Sequence, residues 1–330
     1  MTDADADDGS APVDGPGLTP TQLEVLDQLG ATREERPTFA PDLAAVLRAE
    51  LEDAIADLAD ELDPTDPLRP TKHSLTMVHG CERRHLGEAD QPFEWRPPMA
   101  RGSVVHKAIE LSLHMRGAPA PLALVDDALD RLERTDSSLA GWLATCPEVE
   151  RAELRALANE QVVAFFECFP PLKRSWNPVT EYRFRLDLLD HRISISGRPD
   201  LVIGRNDGMT AGKVIIDFKT GARSVAHTDD LRLYALLETL RTGVPPRLTA
   251  TLYLDSGTVQ TEAITDAVLH AAVARTADGI RKLHELSVGT RAPVTRPSGG
   301  CRWCPVLSEC AAGRSYLGEL DEDADRFDED

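Results

Sequence analysis

The sequence predicts an α/β fold, a mixed central sheet flanked by helices, with a helical region ahead of it and a helical insertion within it. Between residues 179 and 255, five short alternating or apolar runs (VTEYRFRLDLL, HRISISG, PDLVIG, KVIIDFK and RLTATLYLD) are separated by turn formers, as strands are. A segment of helical period over 229–242 separates the last two runs, as a crossover between parallel strands requires. With 330 residues and 42% hydrophobic content, the chain can build a core for one large or two ordinary domains.

Residues 1–17 hold five acids and almost nothing to bury, so an acidic disordered tail is expected. A helical region and linker occupy 18–70. There TPTQLEVLDQLG reads as a short helix with Thr19 as N-cap, Pro20 behind it and Gly30 as its stop. A longer helix is expected over 41–62, with Leu43, Val46, Leu47, Leu51, Ile55, Leu58 and Leu62 at helical spacing and an acidic opposite face read as solvated. A contact of that face with a basic partner, or DNA mimicry, is the alternative. PTDPLRP at 64–70 is a linker by its prolines.

The main domain is expected over 71–300. It opens with one helix from Ser74 to Ala89 that carries Cys81, Arg83 and Arg84, followed by a helix over 101–115 that carries His106. A helical insertion fills about 119–170, and the sheet follows, with VQTEAI as an added edge strand. A helix over 265–286 leads to a cysteine segment at 301–312 and an acidic tail at 313–330, again expected to be disordered.

A net charge of -20 is unusual for a chain that handles phosphates. Its distribution matters more than its sum. Residues 1–17 hold five acids and no base, 50–66 hold eight and no base, and 319–330 hold eight against one Arg, so these stretches carry the whole net charge. The remaining body is near neutral and leaves room for a basic groove. No run of 18 apolar residues occurs and the N-terminus is acidic, which excludes a membrane span and a signal peptide and predicts a cytoplasmic protein.

The chemistry concentrates between Ile193 and Gly221. Asp200 follows Pro199 in one predicted strand; Asp217 ends the apolar run Val214-Ile215-Ile216 in the next, with Lys219 two residues on. Period two puts Asp217 and Lys219 on one face, and neighbouring strands about 4.8 Å apart can bring Asp200 across from them. Two carboxylates that close repel unless a divalent cation lies between them, and a hard cation beside a lysine suits attack of water on a phosphodiester. Only six of the 36 basic residues are lysine, so Lys219 is no interchangeable positive charge.

In G-R-P-D at 197–200, D-F-K-T-G at 217–221, G-S-V-V-H at 102–106 and D-L-R-L-Y at 230–234, the sequence resembles the PD-(D/E)XK nuclease superfamily and its RecB-like branch. The pieces stand in the family's order. The resemblance implies a restriction-endonuclease-like core in which His106, Asp200 and Asp217 hold Mg²⁺ or Mn²⁺, Lys219 positions water, and Tyr234 stands over the site. It also points to Glu181 as an upstream acidic position, able to bind metal through water or to pair with an arginine. Where the family motif has Gln, this chain has Asp230, so an amide donor is lost and Arg232 or Arg223 is expected to contact the DNA backbone instead.

Cys301, Cys304 and Cys310 form C-x2-C-x5-C, and Cys81 stands some 220 residues upstream. Six cysteines in an intracellular chain argue for metal or catalysis over a disulfide framework, while Cys146 and Cys168 fall at no ligand spacing and read as core residues. The one-plus-three layout resembles the 4Fe-4S staple of RecB-like nucleases of the AddB and CRISPR-adaptation types, for which four thiolates are required. Structural zinc is the rival, although such a site usually shows two C-x2-C knuckles.

These readings lead to a metal-dependent DNA nuclease with a 4Fe-4S cluster, an exonuclease on single-stranded or end-exposed DNA in repair or recombination. No G-x4-G-K-[ST] loop occurs, so any unwinding would fall to a separate helicase. A catalytically silent DNA-binding or scaffolding module of the same fold, or a zinc-stapled protein with no nucleic-acid role, are the alternatives.

Overall fold

The structure is a computed structural model that describes residues 17–113, 120–135 and 137–328. The acidic N-terminal tail expected over 1–17 lies, but for Gly17, outside them. Helices α1 (Pro20–Leu29) and α2 (Leu43–Ala54) precede α3 (Lys72–Gly80) and α4 (Glu82–Ala89). Helices α5 (Pro97–Ser112), α6 (Pro121–Glu133), α7 (Ser138–Thr145) and α8 (Glu148–Cys168) follow. Then come β1 (Val179–Thr180), β2 (Phe184–Leu188), β3 (Ile193–Gly197), β4 (Leu201–Ile203) and β5 (Val214–Lys219). Helix α9 (Ala226–Thr242) leads to β6 (Leu248–Tyr253) and β7 (Thr258–Ala263), and the chain closes with α10 (Asp266–Ser287) and α11 (Ala311–Asp328).

The main sheet has the order β1-β4-β5-β6-β7. Only β5 and β6 run parallel, joined by α9 as the crossover helix, and the other pairs are antiparallel. Period two divides the strands between two cores. Val214, Ile216 and Phe218 of β5 pack towards α5, α6, α7 and α8, while Ile215 packs towards α2, α9 and α10. The result is a helix, sheet, helix sandwich with the ends of β4 and β5 open to the chemistry.

Several expectations need correction. VTEYRFRLDLL breaks into β1 and β2, and ISISGRPDLVIG into β3 and β4; β2 and β3 form their own two-stranded hairpin instead of joining the main sheet. Alternation is the same in both halves, so it does not reveal the break. The linker also has structure: Leu68 exchanges backbone hydrogen bonds with Arg192 and Ser194 beside β3. The 41–62 helix ends at Ala54 and continues as a 3-10 turn over Ala56–Asp60. Its acidic face is partly paired, with Asp57 on Arg281 at 2.6 Å and Glu61 on His284 at 2.8 Å, both from α10. The single helix expected from Ser74 to Ala89 is two, interrupted at Cys81, whose backbone is extended. The acidic tail is helical to Asp328, because α11 starts directly from the cysteine segment and packs on its 3-10 turns. Among the described residues, no helix is long and apolar enough to cross a membrane.

Candidate active site

The register of β4 against β5 pairs Leu201 with Ile216, and one step further it sets Asp200 opposite Asp217. Asp200 Oδ2 accepts a hydrogen bond of 2.6 Å from the Phe218 backbone N–H, which ties it to β5 between Asp217 and Lys219. Its other oxygen lies 2.7 Å from His106 Nδ1 on α5. The turn after β5 ties down two helices here: Arg101 of α5 and Gln161 of α8 both donate to the Thr220 carbonyl, at 3.3 and 3.2 Å. Burial works against an imidazolium at His106, but Asp200 and then Asp217 outweigh it, so its pKa is raised.

Glu181 completes the group. Its φ of 51° is left-handed, a conformation that costs a non-glycine residue about 1–3 kcal/mol, and its N–H donates to the Asp200 carbonyl at 3.1 Å. One ligand atom each from His106, Glu181 and Asp200 lies within 4.8 Å of the others. Burial raises the Glu181 carboxyl, with Arg198 at 2.7 Å opposing and Asp200 adding to the rise. Two carboxylates and an imidazole at such spacing fit a hard divalent cation, with Mn²⁺ the better match to the nitrogen.

Asp217 is placed differently from the ligand role expected for it. It is 3% exposed, and its two oxygens are met by two lysines: Lys219 closes on Oδ2 and Lys72 lies 3.8 Å from Oδ1. Burial would raise its pKa, yet Lys72 and Lys219 together hold it below the ordinary range. Lys72, at the start of α3, also stands 3.4 Å from Asp230 Oδ2, and Thr76 one turn on donates to Asp230 Oδ1 at 2.8 Å. Burial opposes the Lys72 charge, and the field of Asp217 above all overrides it, raising its pKa. No signal in the sequence marks Lys72. The Asp230 substitution is the one hint, since a carboxylate in place of an amide calls for a cation.

Tyr234 is 2% exposed and lies in the core instead of facing the cleft. Its hydroxyl donates to the Arg198 carbonyl at 3.2 Å, and its ring stands so close to Gly197 that a Cβ there would sit 2.6 Å from Cε1. Burial pushes the phenol up to about 12, so it stays protonated as a donor. Tyr234 thus props the segment that carries Asp200. Arg232 is bound to Glu262 at 2.5 Å and Asp229 at 3.4 Å, which leaves it no free guanidinium for phosphate. Arg223 donates to Thr258 at 2.6 Å and lies over the Tyr253 ring.

The site opens into a cleft of about 1010 Å³, with Lys107, Arg183 and Arg198 on its walls and Trp95 at one side. Lys107 is paired with Glu110 and Arg198 with Glu181, which leaves Arg183 and the aromatic face to meet a nucleic-acid strand.

Behind α3 and α4, Cys81, Cys301, Cys304 and Cys310 line one cavity. Backbone N–H groups point at the sulfurs: Arg296 donates to Cys81 Sγ at 3.5 Å, Ser298 to Cys301 Sγ at 3.4 Å and Gly313 to Cys310 Sγ at 3.4 Å. Burial raises the Cys304 thiol, and Cys301 and Cys81 nearby add to it. Glu82 clamps the segment from below, taking Arg291 at 3.0 Å and the Val294 N–H at 2.9 Å. Arg84 and Arg83 donate to the carbonyls of Gly300 and Glu309, both at 3.2 Å. Cys168 is buried among the residues under α8, and Cys146 lies between α7 and α8, both away from this cavity.

A family model of the PD-(D/E)XK nuclease superfamily matches residues 70–311. Among solved structures, the crystal structure of SSO0001 is similar over 82% of this chain and 97% of its own, at 13% identity and a TM-score of 0.33. A candidate exonuclease from Eubacterium rectale is similar over 74% of this chain and 86% of its own, at 12% identity and a TM-score of 0.45. No curated protein matches. The family match runs from two residues before α3 to the start of α11 and takes in the sheet and every residue of the acidic site, and the chain belongs to the PD-(D/E)XK nuclease superfamily.

Proposed function

We propose that the chain is a metal-dependent DNA exonuclease, acting on single-stranded or end-exposed DNA in repair or recombination. The observation that carries this reading is the convergence of His106, Glu181 and Asp200, in a cleft that Arg183 and Trp95 also line, beside the Asp217 and Lys219 pair. His106, Glu181 and Asp200 would hold Mg²⁺ or Mn²⁺, with Asp217 adjoining. A bound cation of this kind supplies positive charge for the scissile phosphate and a lowered pKa for water.

The protein's own groups do the rest. Asp217 stays ionised between two ammonium groups and holds Lys219 beside Asp200, and in this reading Lys219 orients the attacking water and stabilises charge developing on the phosphate. Phe218 N–H and His106 fix the Asp200 carboxylate from two sides, and the Tyr234 hydroxyl fixes the backbone that carries it. Arg183 provides a phosphate contact along the cleft, while Lys107 and Arg198 are engaged by Glu110 and Glu181.

In the same reading, Cys81, Cys301, Cys304 and Cys310 hold a 4Fe-4S cluster that staples the C-terminal segment to α3 and α4. Four thiols around one cavity, three of them receiving backbone N–H groups, support it. The test is anaerobic purification, iron and zinc analysis, and incubation with end-labelled single- and double-stranded DNA with Mg²⁺, Mn²⁺ or chelator. Brown protein that shortens DNA only with a divalent ion supports the reading. Colourless zinc protein removes the cluster, and intact DNA under all conditions removes the nuclease.

A further inference from the structure

A second cavity lies at the opposite end of the sheet from Asp217. β4 ends there at Ile203 and β5 starts at Val214, about 10 Å from Asp217 at roughly 3.3 Å per residue. The cavity holds about 400 Å³, within the usual range of about 300–1,000 Å³ for small-molecule sites. Leu26, Leu29 and Phe169 make an apolar floor and Trp176 lines the same space. Arg36, Arg205 and Arg247 also line it.

Arg36, Arg205 and Arg247 share one cavity, and no carboxylate lines it with them. With 56 acids to 36 bases, carboxylates are plentiful. Yet among the described residues none of the three is within 4 Å of a carboxylate oxygen. Glu35, whose field reaches Arg247, is turned to the Thr32 N–H at 2.7 Å. Arg247 donates to the Leu29 carbonyl, while the Nε atoms of Arg36 and Arg247 are buried with no hydrogen-bond partner. Burial and the neighbouring Arg36 lower the Arg247 pKa, a sign of like charges held together. Buried donors left unpaired are costly, and an anion would satisfy them.

The rim is fixed before any ligand arrives. Gly204 has a φ of 86°, and a Cβ on it would sit 2.2 Å from the Gly212 carbonyl oxygen; a Cβ on Gly212 would sit 1.8 Å from that of Arg205. Asn206 Oδ1 accepts from the N–H groups of Gly212 and Lys213, at 3.0 and 3.3 Å, and Gly204 N–H donates to the Trp176 carbonyl at 2.6 Å. The turn between β4 and β5 therefore serves as a preformed frame that presents Arg205 and Trp176 to one space.

We propose that this cavity binds a nucleoside monophosphate, either free or as the terminal nucleotide of a strand, with its phosphate on Arg36, Arg205 and Arg247 and its base against Trp176 and the apolar floor. The anion site follows from the arginines alone; the choice of a nucleoside rests on the nuclease reading, whose products are of this class. A ligand here leaves the cleft at Asp200 free, so the site can hold product or a strand end while cleavage proceeds elsewhere.

The test is calorimetric titration of the full-length chain in chelator, with dAMP, deoxyadenosine, inorganic phosphate and a 5′-phosphorylated oligonucleotide as separate probes. Expected is one dAMP per chain, with deoxyadenosine and phosphate each at least tenfold weaker. Preference for the oligonucleotide over dAMP identifies a strand end as the occupant. Arg36→Gln with Arg247→Gln should weaken dAMP at least tenfold, Arg205→Gln, on the exposed rim, should weaken it severalfold, and Lys219→Ala should not change it. Undiminished dAMP affinity in the Arg205→Gln and Arg36→Gln/Arg247→Gln proteins overturns the site, as does no binding at all. Binding by a chain that cleaves no DNA leaves the site standing and removes the nuclease reading; cleavage without dAMP binding removes the site alone.

Discussion

Lys72 on α3 and Asp230 on α9 are joined across 3.4 Å, and through this pair the ammonium is held 3.8 Å from Asp217. A carboxylate where the family motif has an amide therefore has a structural consequence: it recruits a second lysine to the back of the site. Lys72→Met should lower cleavage about 10- to 100-fold, equivalent to about 1.4–2.7 kcal/mol on the barrier. Asp230→Asn should act in the same direction. The two changes share one interaction, so the double variant should fall short of their sum by about 0.5–3 kcal/mol. Independent, additive effects on rate and melting temperature would show that the pair is incidental.

Gly197 and Tyr234 make the second prediction. A methyl group at 197 meets the Tyr234 ring at 2.6 Å, and overpacking of this kind costs about 1–3 kcal/mol, so Gly197→Ala should lower the melting temperature and displace Asp200. Tyr234→Phe removes only the hydrogen bond to Arg198, worth about 0.5–1.5 kcal/mol, and should leave most activity in place. Complete loss of activity in Tyr234→Phe would give the phenol a direct part in the chemistry.

The proximity of Asp200, Asp217 and Lys219 was legible because strand geometry is local: Asp217 and Lys219 share a face by period two, and Pro199 marks where the next carboxylate enters. His106 was reached only through the resemblance of G-S-V-V-H to the family motif, because its meeting with Asp200 joins a helix to a strand some 90 residues away. Lys72 was not legible, because its meeting with Asp230 depends on how α3 packs against α9, more than 150 residues apart in sequence. Glu181 was read only weakly, since a left-handed glutamate leaves no mark in composition. Tyr234 was misplaced for a related reason: position on a helix face does not say whether that face meets solvent or core. The acidic C-terminal segment failed as a disorder signal because composition does not count the anchor that α11 finds on the cysteine segment.

His227 makes a pH prediction. Burial and then Lys219 lower its pKa, and its Nδ1 lies 3.2 Å from the Tyr253 hydroxyl. A histidine with a depressed folded pKa contributes stability that is fully present above its unfolded value of about 6.5 and is lost as pH falls through the folded value. The melting temperature of the wild type should therefore drop more steeply below about pH 6.5 than that of His227→Asn. Parallel curves for the two proteins would contradict this.

The cysteines give a prediction on loading. A link from Cys81 to Cys301 closes a loop of some 220 residues, for which the chain-entropy scale suggests about 4–5 kcal/mol. Cys81→Ala and Cys304→Ala should lose iron, melting temperature and activity together, whereas Cys146→Ala and Cys168→Ala should keep full iron. Full iron in Cys81→Ala, measured by metal analysis of anaerobic protein, would break the assignment.

Lys219 tests the central claim most directly, because it is the side chain assigned to the attacking water and its partner Asp217 is fixed independently by Lys72. End-labelled DNA digested with Mn²⁺ by wild type, Lys219→Ala and Lys219→Arg, at matched folding and iron content, is the measurement. The account predicts shortening of DNA by the wild type and a loss of at least about 100-fold, near 2.7 kcal/mol, in both variants, since guanidinium does not replace the compact ammonium. Digestion by Lys219→Ala at the wild-type rate would contradict it.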